Sequence, residues 1–268
     1  MTKLRQLVFG TDLLLVDEAQ RLDNAGLTFK IIYDNFPNTK VVATGSSSLD
    51  LKNKLSDPLT GRYIDFSLYP LSLSEIILSD KVSENVAIQN EKPKNLLPQI
   101  LLYGSYPEIY LEKSVENKVL FLNKIIESYL YKDIFEFQKV RNPQAIRDLT
   151  RALAYQVGSE VNENELSSRL AVDRKTIVSY LDLLEKTFVI YKLYPFSKNR
   201  RREIGKNYKV YFLDLGLRNG LIGDFNPLSL RPDAGALWEN YLIIERQKLF
   251  ANIGEKPEGR FWRSYQGA

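Results

Sequence analysis

The chain has 268 residues, 44% hydrophobic and 26% charged, a balance that points to a folded globular protein and away from a disordered one. Its formal net charge of +4 is only weakly suggestive of an anionic partner. It contains no cysteine and no histidine, which excludes disulfides, thiolate metal sites, His-ligated zinc and Ser-His-Asp catalysis, and leaves carboxylates, Lys, Tyr and Ser/Thr for proton transfer. No apolar run approaches the roughly 20 residues that cross a bilayer. Asp12 and Asp17 bracket the apolar run nearest the N-terminus, so no secretion signal is read there. The expectation is a cytoplasmic protein without a membrane partner.

Leu13-Leu14-Leu15-Val16 reads as a strand buried on both faces, as in a parallel sheet, and Asp17-Glu18 follows at its C-terminal end. Ligands of open α/β sheets bind at that edge. In phosphoryl-transfer ATPases the first acid of such a pair holds Mg²⁺ through water and the second orients the attacking water. Asp17 and Glu18 therefore read as a Walker B element, the alternative being a strand that simply ends in a charged turn.

A helical pattern over Leu27, Phe29, Ile31, Ile32 and Phe36 ends at Pro37-Asn38, and Val41-Val42-Ala43 is a second strand running into Thr44-Gly45-Ser46. Strand, helix and strand over this length make a βαβ unit, which delivers Thr44 and Ser46 to the same edge as the two acids. Thr44 is the first choice, and Ser46 the second, for a polar residue that senses a γ-phosphate; the alternative is a Gly-Ser turn capping the helix expected over 49–55. Arg62 precedes an alternating strand, Tyr63–Leu68. An arginine there reaches a neighbouring subunit's phosphate in many such ATPases, and an exposed loop arginine is the equal alternative.

Beyond a short helix at Leu73–Leu78, a long helix is expected over 116–137 with Leu122, Ile125, Ile126, Tyr129, Leu130 and Ile134 as its apolar stripe, and another over 143–157. From Asn162 to Pro195 the pattern is short helix, turn, helix over 174–186 and strand, which reads as a winged helix. Arg174, Lys175 and Ser179, near the start of its second helix, are the candidate DNA contacts, whereas Asp182 and Glu185 further along oppose a phosphate backbone. Such modules also serve purely for packing. Lys198, Arg200, Arg201, Arg202, Lys206 and Lys209 form a basic segment suited to phosphate contact or to a solvated loop. Trp238, Leu242, Ile243 and Leu249 give a late helix an apolar side, with Glu239 and Glu245 also on it.

The stretches LLLVDEAQRLDNAGLTFKIIYD, VVATGSSSLDL, PLTGRYIDFSLYPLS, LLYGSYPEIYL, SYLYKDI, VDRKTIVSYLDLLEKTFVIYKLYPFS, FLDLGLRN and GALWENYLIIE occur in an order that resembles prokaryotic AAA-type (P-loop) ATPases with a restriction-endonuclease-like C-terminal domain of unknown function. The resemblance implies an α/β protein: a partial P-loop NTPase parallel sheet, then a helical and winged-helix region, then a partial α+β C-terminal domain. The corresponding ranges are 1–80, 81–142 (a helical connection), 143–195 and 196–268. It also implies ATP and Mg²⁺ as cofactors, Asp17 on the metal, Glu18 as the catalytic group, Thr44, Ser46 and Arg62 at the nucleotide, and self-association through Arg62.

Two departures stand against it. No G-x-x-x-x-G-K-S/T occurs, so the phosphate cradle and the strand feeding it, expected between the strand ending at Thr44 and that at 63–68, are missing. The acidic strand expected after Phe261-Trp262-Arg263 is also missing, and Glu239 alone cannot assemble a Mg²⁺ site of two or three carboxylates. The expectation is a chain truncated at both ends: an ATP-binding and ATP-hydrolysing class of protein, incompetent as this chain. The alternatives are a winged-helix DNA-binding regulatory module without catalysis, or an inactive interaction scaffold.

Overall fold

The computed structural model describes residues 2–45, 59–79, 96–133, 140, 142–196, 208–255 and 259–262. The chain divides into two units, residues 1–66 and 67–268.

In the first unit, helix α1 (Thr2–Val8) leads to strand β1 (Leu13–Val16), a 3₁₀ turn at Ala19–Arg21, helix α2 (Ala25–Asn35) and strand β2 (Lys40–Ala43). The strands pair in parallel, Leu13 opposite Lys40 and Val16 opposite Ala43. Val8, Ala19, Ala25, Phe29, Ile32 and Leu59 form the core, and Leu14, Val16, Val41 and Ala43 pack on it. Among the described residues the sheet is covered on one face only. Successive strand side chains point to opposite faces, and Leu13, Leu15 and Val42, which face away from the helices, are 50%, 68% and 49% exposed. The expected burial on both faces is thus corrected to one. Residues 63–68 do not form the expected strand, and Ile64, Phe66 and Leu68 are exposed. An extended segment becomes a strand only against a neighbouring ladder, and no described strand pairs with it.

The second unit opens with α3 (Leu73–Ser79), α4 (residues 96–103), α5 (Pro107–Leu111) and α6 (Val115–Ile125). The last runs directly into a π-helical stretch, Ile126–Asp133, where one long α-helix was expected. Leu122 and Ile126 of the expected stripe are buried and Ile125 packs beside the core, while Ile134 lies outside the described residues.

Helix α7 (Pro143–Tyr155) begins where the Asn142 side chain accepts the Ala145 N–H at 3.1 Å, with Pro143 at the position that needs no N–H partner. Strand β3 (Glu160–Val161), α8 (Glu163–Leu170) and α9 (Arg174–Lys186) follow, α9 being capped by Asp173, whose carboxylate accepts the Thr176 N–H at 3.0 Å. Strands β4 (Ile190–Pro195) and β5 (Tyr208–Phe212) pair antiparallel, β3 pairs antiparallel with the other edge of β5, and β6 (Arg260–Phe261) pairs parallel with β4. Ile146, Leu149, Leu153, Ile177, Leu181, Leu184, Val210 and Phe212 fill the space between these helices and the sheet.

Helices α10 (Leu215–Ile222) and α11 (Ala234–Asn252) complete the unit. On α11 the buried face is Leu237, Tyr241, Ile244 and Lys248, whereas Trp238, Leu242 and Leu249 are exposed. Of the expected apolar side only Ile243 packs against the core, because this helix is apolar around most of its circumference. Among the described residues, no helix is long and apolar enough to cross a membrane.

The second unit buries charge in quantity. Asp214 is buried and accepts the Ser105 N–H at 2.7 Å and the Leu217 N–H at 3.0 Å, and burial pushes its carboxyl upward. Arg218 and Arg231, both about 1% exposed, converge on Asp233 Oδ2 at 2.5 and 2.8 Å. The hydrogen bond from Arg231 is the main reason the Asp233 carboxyl is held down to about 2. Asn219 donates to the Leu101 and Leu102 carbonyls at 3.0 and 2.8 Å.

Two outcomes follow. Gly104 has φ +75, and a Cβ there would sit 2.0 Å from Asp214 Oδ1. Gly104→Ala should therefore lower unfolding stability by more than about 2 kcal/mol in denaturant titration. Because the folded-state value of Asp233 is depressed, its contribution is present above its unfolded value of about 4 and is lost as pH falls through about 2. Melting temperature should drop across that window, and less steeply in Asp233→Asn.

Candidate functional site

The parallel register of β1 and β2 ends both strands at one edge, and there the chain knots itself. Thr44 N–H donates to the Val16 carbonyl at 2.9 Å, continuing the ladder by one bond. The Ala19 N–H donates to the Thr44 carbonyl at 2.8 Å, and the Glu18 N–H to Thr44 Oγ1 at 3.3 Å. The Thr44 hydroxyl donates in turn to Asp17 Oδ1. A single threonine thus fixes the backbone on both sides of Glu18 and the carboxylate of Asp17. Asp17 and Thr44 are exposed and Glu18 is half-buried, so the cluster is open to solvent.

Glu18 adopts the left-handed conformation, φ 51 and ψ 44, which an L-residue enters at a cost. Its carboxylate does not join that of Asp17. Glu18 Oε2 accepts the Gln20 side-chain amide at 2.9 Å, and Arg21 Nε lies 3.5 Å from the same oxygen. Gln20 is a functional candidate that the sequence reading missed. Its signal was a polar side chain in a turn whose other inward positions, Ala19 and Ala25, are small and apolar.

Of the remaining sequence candidates, Ser46 lies outside the described residues, as do Lys198, Arg200, Arg201, Arg202 and Lys206 of the basic segment. Arg62 lies with the last turn of α2: its guanidinium is 5.6 Å from the Tyr33 ring centre and 3.8 Å from Asp34 Oδ1. That turn leads through residues 36–39 to the start of β2, at the sheet edge opposite Asp17 and Glu18.

Arg174, Lys175 and Ser179 are all exposed on α9, and Arg174 is paired with Glu163 at 2.7 Å. Asp182 and Glu185 meet the buried Lys192 of β4 at 2.5 and 3.2 Å, so the two acids read as opposing a phosphate backbone are offset by that cation. Glu239 accepts the Tyr211 hydroxyl at 2.6 Å and Lys209 Nζ at 2.9 Å. Among the described residues no group of three acids converges to hold a metal.

Magnesium commonly takes one or two carboxylates and completes its shell with water and phosphate oxygens. The exposed Asp17 fits such a single-carboxylate role, with its orientation set by Thr44. A phosphate grip is a different matter: the chain has no glycine-rich loop with a lysine, so the residues present do not fit a triphosphate held by this chain alone.

Residues 94–228, half of the chain, match the model of a family described as a domain of unknown function (DUF8612), and residues 1–77 match that of an AAA domain. An uncharacterized protein of Haemophilus influenzae is 29% identical over 214 residues, 78% of this chain and 52% of its own length. Two uncharacterized proteins of Methanocaldococcus jannaschii are 24% and 25% identical over 256 and 249 residues, 92% and 80% of this chain and 56% and 50% of theirs. The chain spans about half the length of the curated relatives it matches.

The left-handed backbone at Glu18 is testable by itself. Glu18→Gly and Glu18→Ala both remove the carboxylate, but only alanine retains the steric penalty. The glycine variant should be the more stable by about 1 kcal/mol in thermal or denaturant unfolding; equal stabilities would show that the turn is not strained.

Proposed function

The chain belongs to the family of the domain of unknown function DUF8612, with an AAA domain matched ahead of it, and on that footing we propose that it carries the hydrolytic half of an AAA-type ATP site. The observation that supports this is the Thr44 clasp, which gathers Asp17, Glu18 and Thr44 at one edge of a parallel strand pair. Bound MgATP would supply the γ-phosphoryl group that water attacks. Asp17 would hold Mg²⁺ through water, Glu18 would take the proton of the attacking water, and Thr44 would keep Asp17 oriented. Ser46 is proposed as the residue that reads the γ-phosphate, because the Thr44 hydroxyl is already engaged by Asp17. Arg62, at the far edge from its own acids, is proposed to act on a neighbouring subunit's nucleotide.

Chemistry and affinity are separable here. The carboxylates are set by contacts within residues 16–44, whereas a triphosphate is gripped by a loop that this sequence does not contain. The C-terminal part is proposed to be nuclease-like in fold alone. Glu239 is committed to Tyr211 and Lys209, so no strand cleavage is assigned to it.

A second reading is supported by the order α7, β3, α8, α9, β4, β5, with β5 lying between β3 and β4 and antiparallel to both, an order compatible with a winged helix. In this reading α9 meets DNA through Lys175 and Ser179, with Arg174 released from Glu163 as it engages phosphate.

Calorimetry on this chain should show no MgATP binding at micromolar concentrations; micromolar affinity would overturn the separation of chemistry from grip. In a form extended with a phosphate-binding loop, Glu18→Gln should lower turnover roughly 10²–10⁴-fold, and unchanged turnover would sink the assignment of Glu18. For DNA, gel shifts at low salt should be abolished by Arg174→Glu with Lys175→Glu, and absence of any shift at low salt removes the second reading.

A further inference from the structure

We infer that Gln20 is the positioning residue for Glu18, a role that rests on the reading of Glu18 as the group that takes a proton from water. Three observations carry it. Gln20 is 3% exposed, so its side chain is confined, buried with the neighbouring Ala19 in the turn. Its amide reaches back two residues to Glu18 Oε2 at 2.9 Å. The backbone between them is held by Thr44, which takes the N–H groups of both Glu18 and Ala19.

Glu18 therefore has a fixed Cα at one end and an anchored donor at the other. A base works only if its oxygen stays within about 0.5 Å of the productive position. On an exposed turn, a glutamate with three side-chain torsions does not hold such a place by itself. Arg21 does not substitute for Gln20. It approaches the same oxygen at 3.5 Å from a side chain 67% exposed, a pairing that solvent screens and side-chain entropy opposes. The length of the side chain also matters: asparagine at position 20 is one methylene too short to bridge from the core to Oε2.

The Gln20 amide directs the carboxylate through one of its two oxygens. A neutral donor occupies one oxygen, leaving the other, Oε1, with its full set of lone pairs for a water proton. The D-E-x-Q order thus encodes a metal carboxylate, a base and the buried donor that aims the base, within four residues of one strand end and one 3₁₀ turn.

The test uses the chain itself. NMR couplings along the Glu18 side chain should report a single rotamer in the wild type. Gln20→Met, which keeps length and burial but loses the donor, and Gln20→Asn, which keeps the donor but loses reach, should both let Glu18 average over rotamers. The amide shifts of Phe29 and Ile32 should stay in place in Gln20→Met, showing that the core is intact. An averaging Glu18 in the wild type, or a fixed Glu18 in Gln20→Met, overturns the proposal. In the loop-extended form, Gln20→Met should lower kcat roughly ten- to hundredfold with KM unchanged, and should add nothing on top of Glu18→Gln. A change in KM instead would mark Gln20 as structural and overturn its positioning role. Unchanged turnover in Glu18→Gln overturns the nucleotide-site reading and this role with it, and is told apart from a failed contact because the rotamer measurement needs no nucleotide.

Discussion

Everything at the edge of the first unit hangs on the hydroxyl of Thr44. A two-stranded parallel ladder with one covered face is a weak support, since parallel sheets are normally protected on both faces and built from more strands. The β1–β2 ladder would otherwise fray where the acids stand. Thr44 prevents this by acting in both directions: its backbone continues the ladder and receives Ala19, while its hydroxyl accepts from Glu18 and donates to Asp17. A serine could repeat the hydroxyl chemistry, but threonine's branched Cβ is stiffer at χ1 and keeps the oxygen aimed at the turn. The left-handed backbone at Glu18 is held against its cost by these bonds, a pattern in which strain persists because its surroundings over-determine it.

The second unit solves an opposite problem. Among the described residues it buries the ionisable side chains of Lys118, Lys192, Asp214, Arg218, Arg231 and Lys248, none more than 6% exposed. Each would be costly alone. Lys248 donates to the Leu71 carbonyl, Ser105 Oγ and Glu245 Oε1 at 3.0, 3.1 and 2.8 Å, which uses the three protons of an ammonium. Asp214 meanwhile caps α10 and ties it to the turn at Ser105. Such pairings contribute little net stability compared with apolar packing, but their directionality admits one arrangement of the helices. That explains why Gly104 and Gly216 have no room for a side chain: the backbone of residues 103–105 lies directly against Asp214 and Gly216.

Much of this was legible locally and little of it at long range. The βαβ unit and the helices over 143–157 and 174–186 could be read because each depends on residues a few positions apart, and Asn142 and Asp173 each bond the helix they precede. The gathering of Asp17, Glu18 and Thr44 followed from parallel strand order alone. What Thr44 does there was not legible, because a hydroxyl near two acids is equally suited to sensing a phosphate and to clasping a carboxylate, and only the position of its Oγ1 between the Glu18 N–H and Asp17 decides. The strand expected at 63–68 failed for a related reason, since strand propensity is realised only beside a partner. The buried face of α11 was misassigned because apolar residues surround most of that helix. Lys192 could not be matched to Asp182 and Glu185 because the pairing crosses from strand to helix.

The contrast between the two units bears on what the proposed half-site can retain. Contacts that aim Asp17 and Glu18 all lie within residues 16–44: backbone bonds made as the βαβ unit folds hold the turn, and the Thr44 and Gln20 side chains hold the two carboxylates. Contacts that would grip a triphosphate must come from a separate loop whose amides point at the phosphates. For the proposed site, orientation of the acids is therefore a local property of the strand ends, and affinity would be a property of the assembled sheet. Evolution and engineering can alter one without the other. The exposed face of Leu13, Leu15 and Val42 shows where the local part stops: those side chains have the character of core and, among the described residues, no layer to meet.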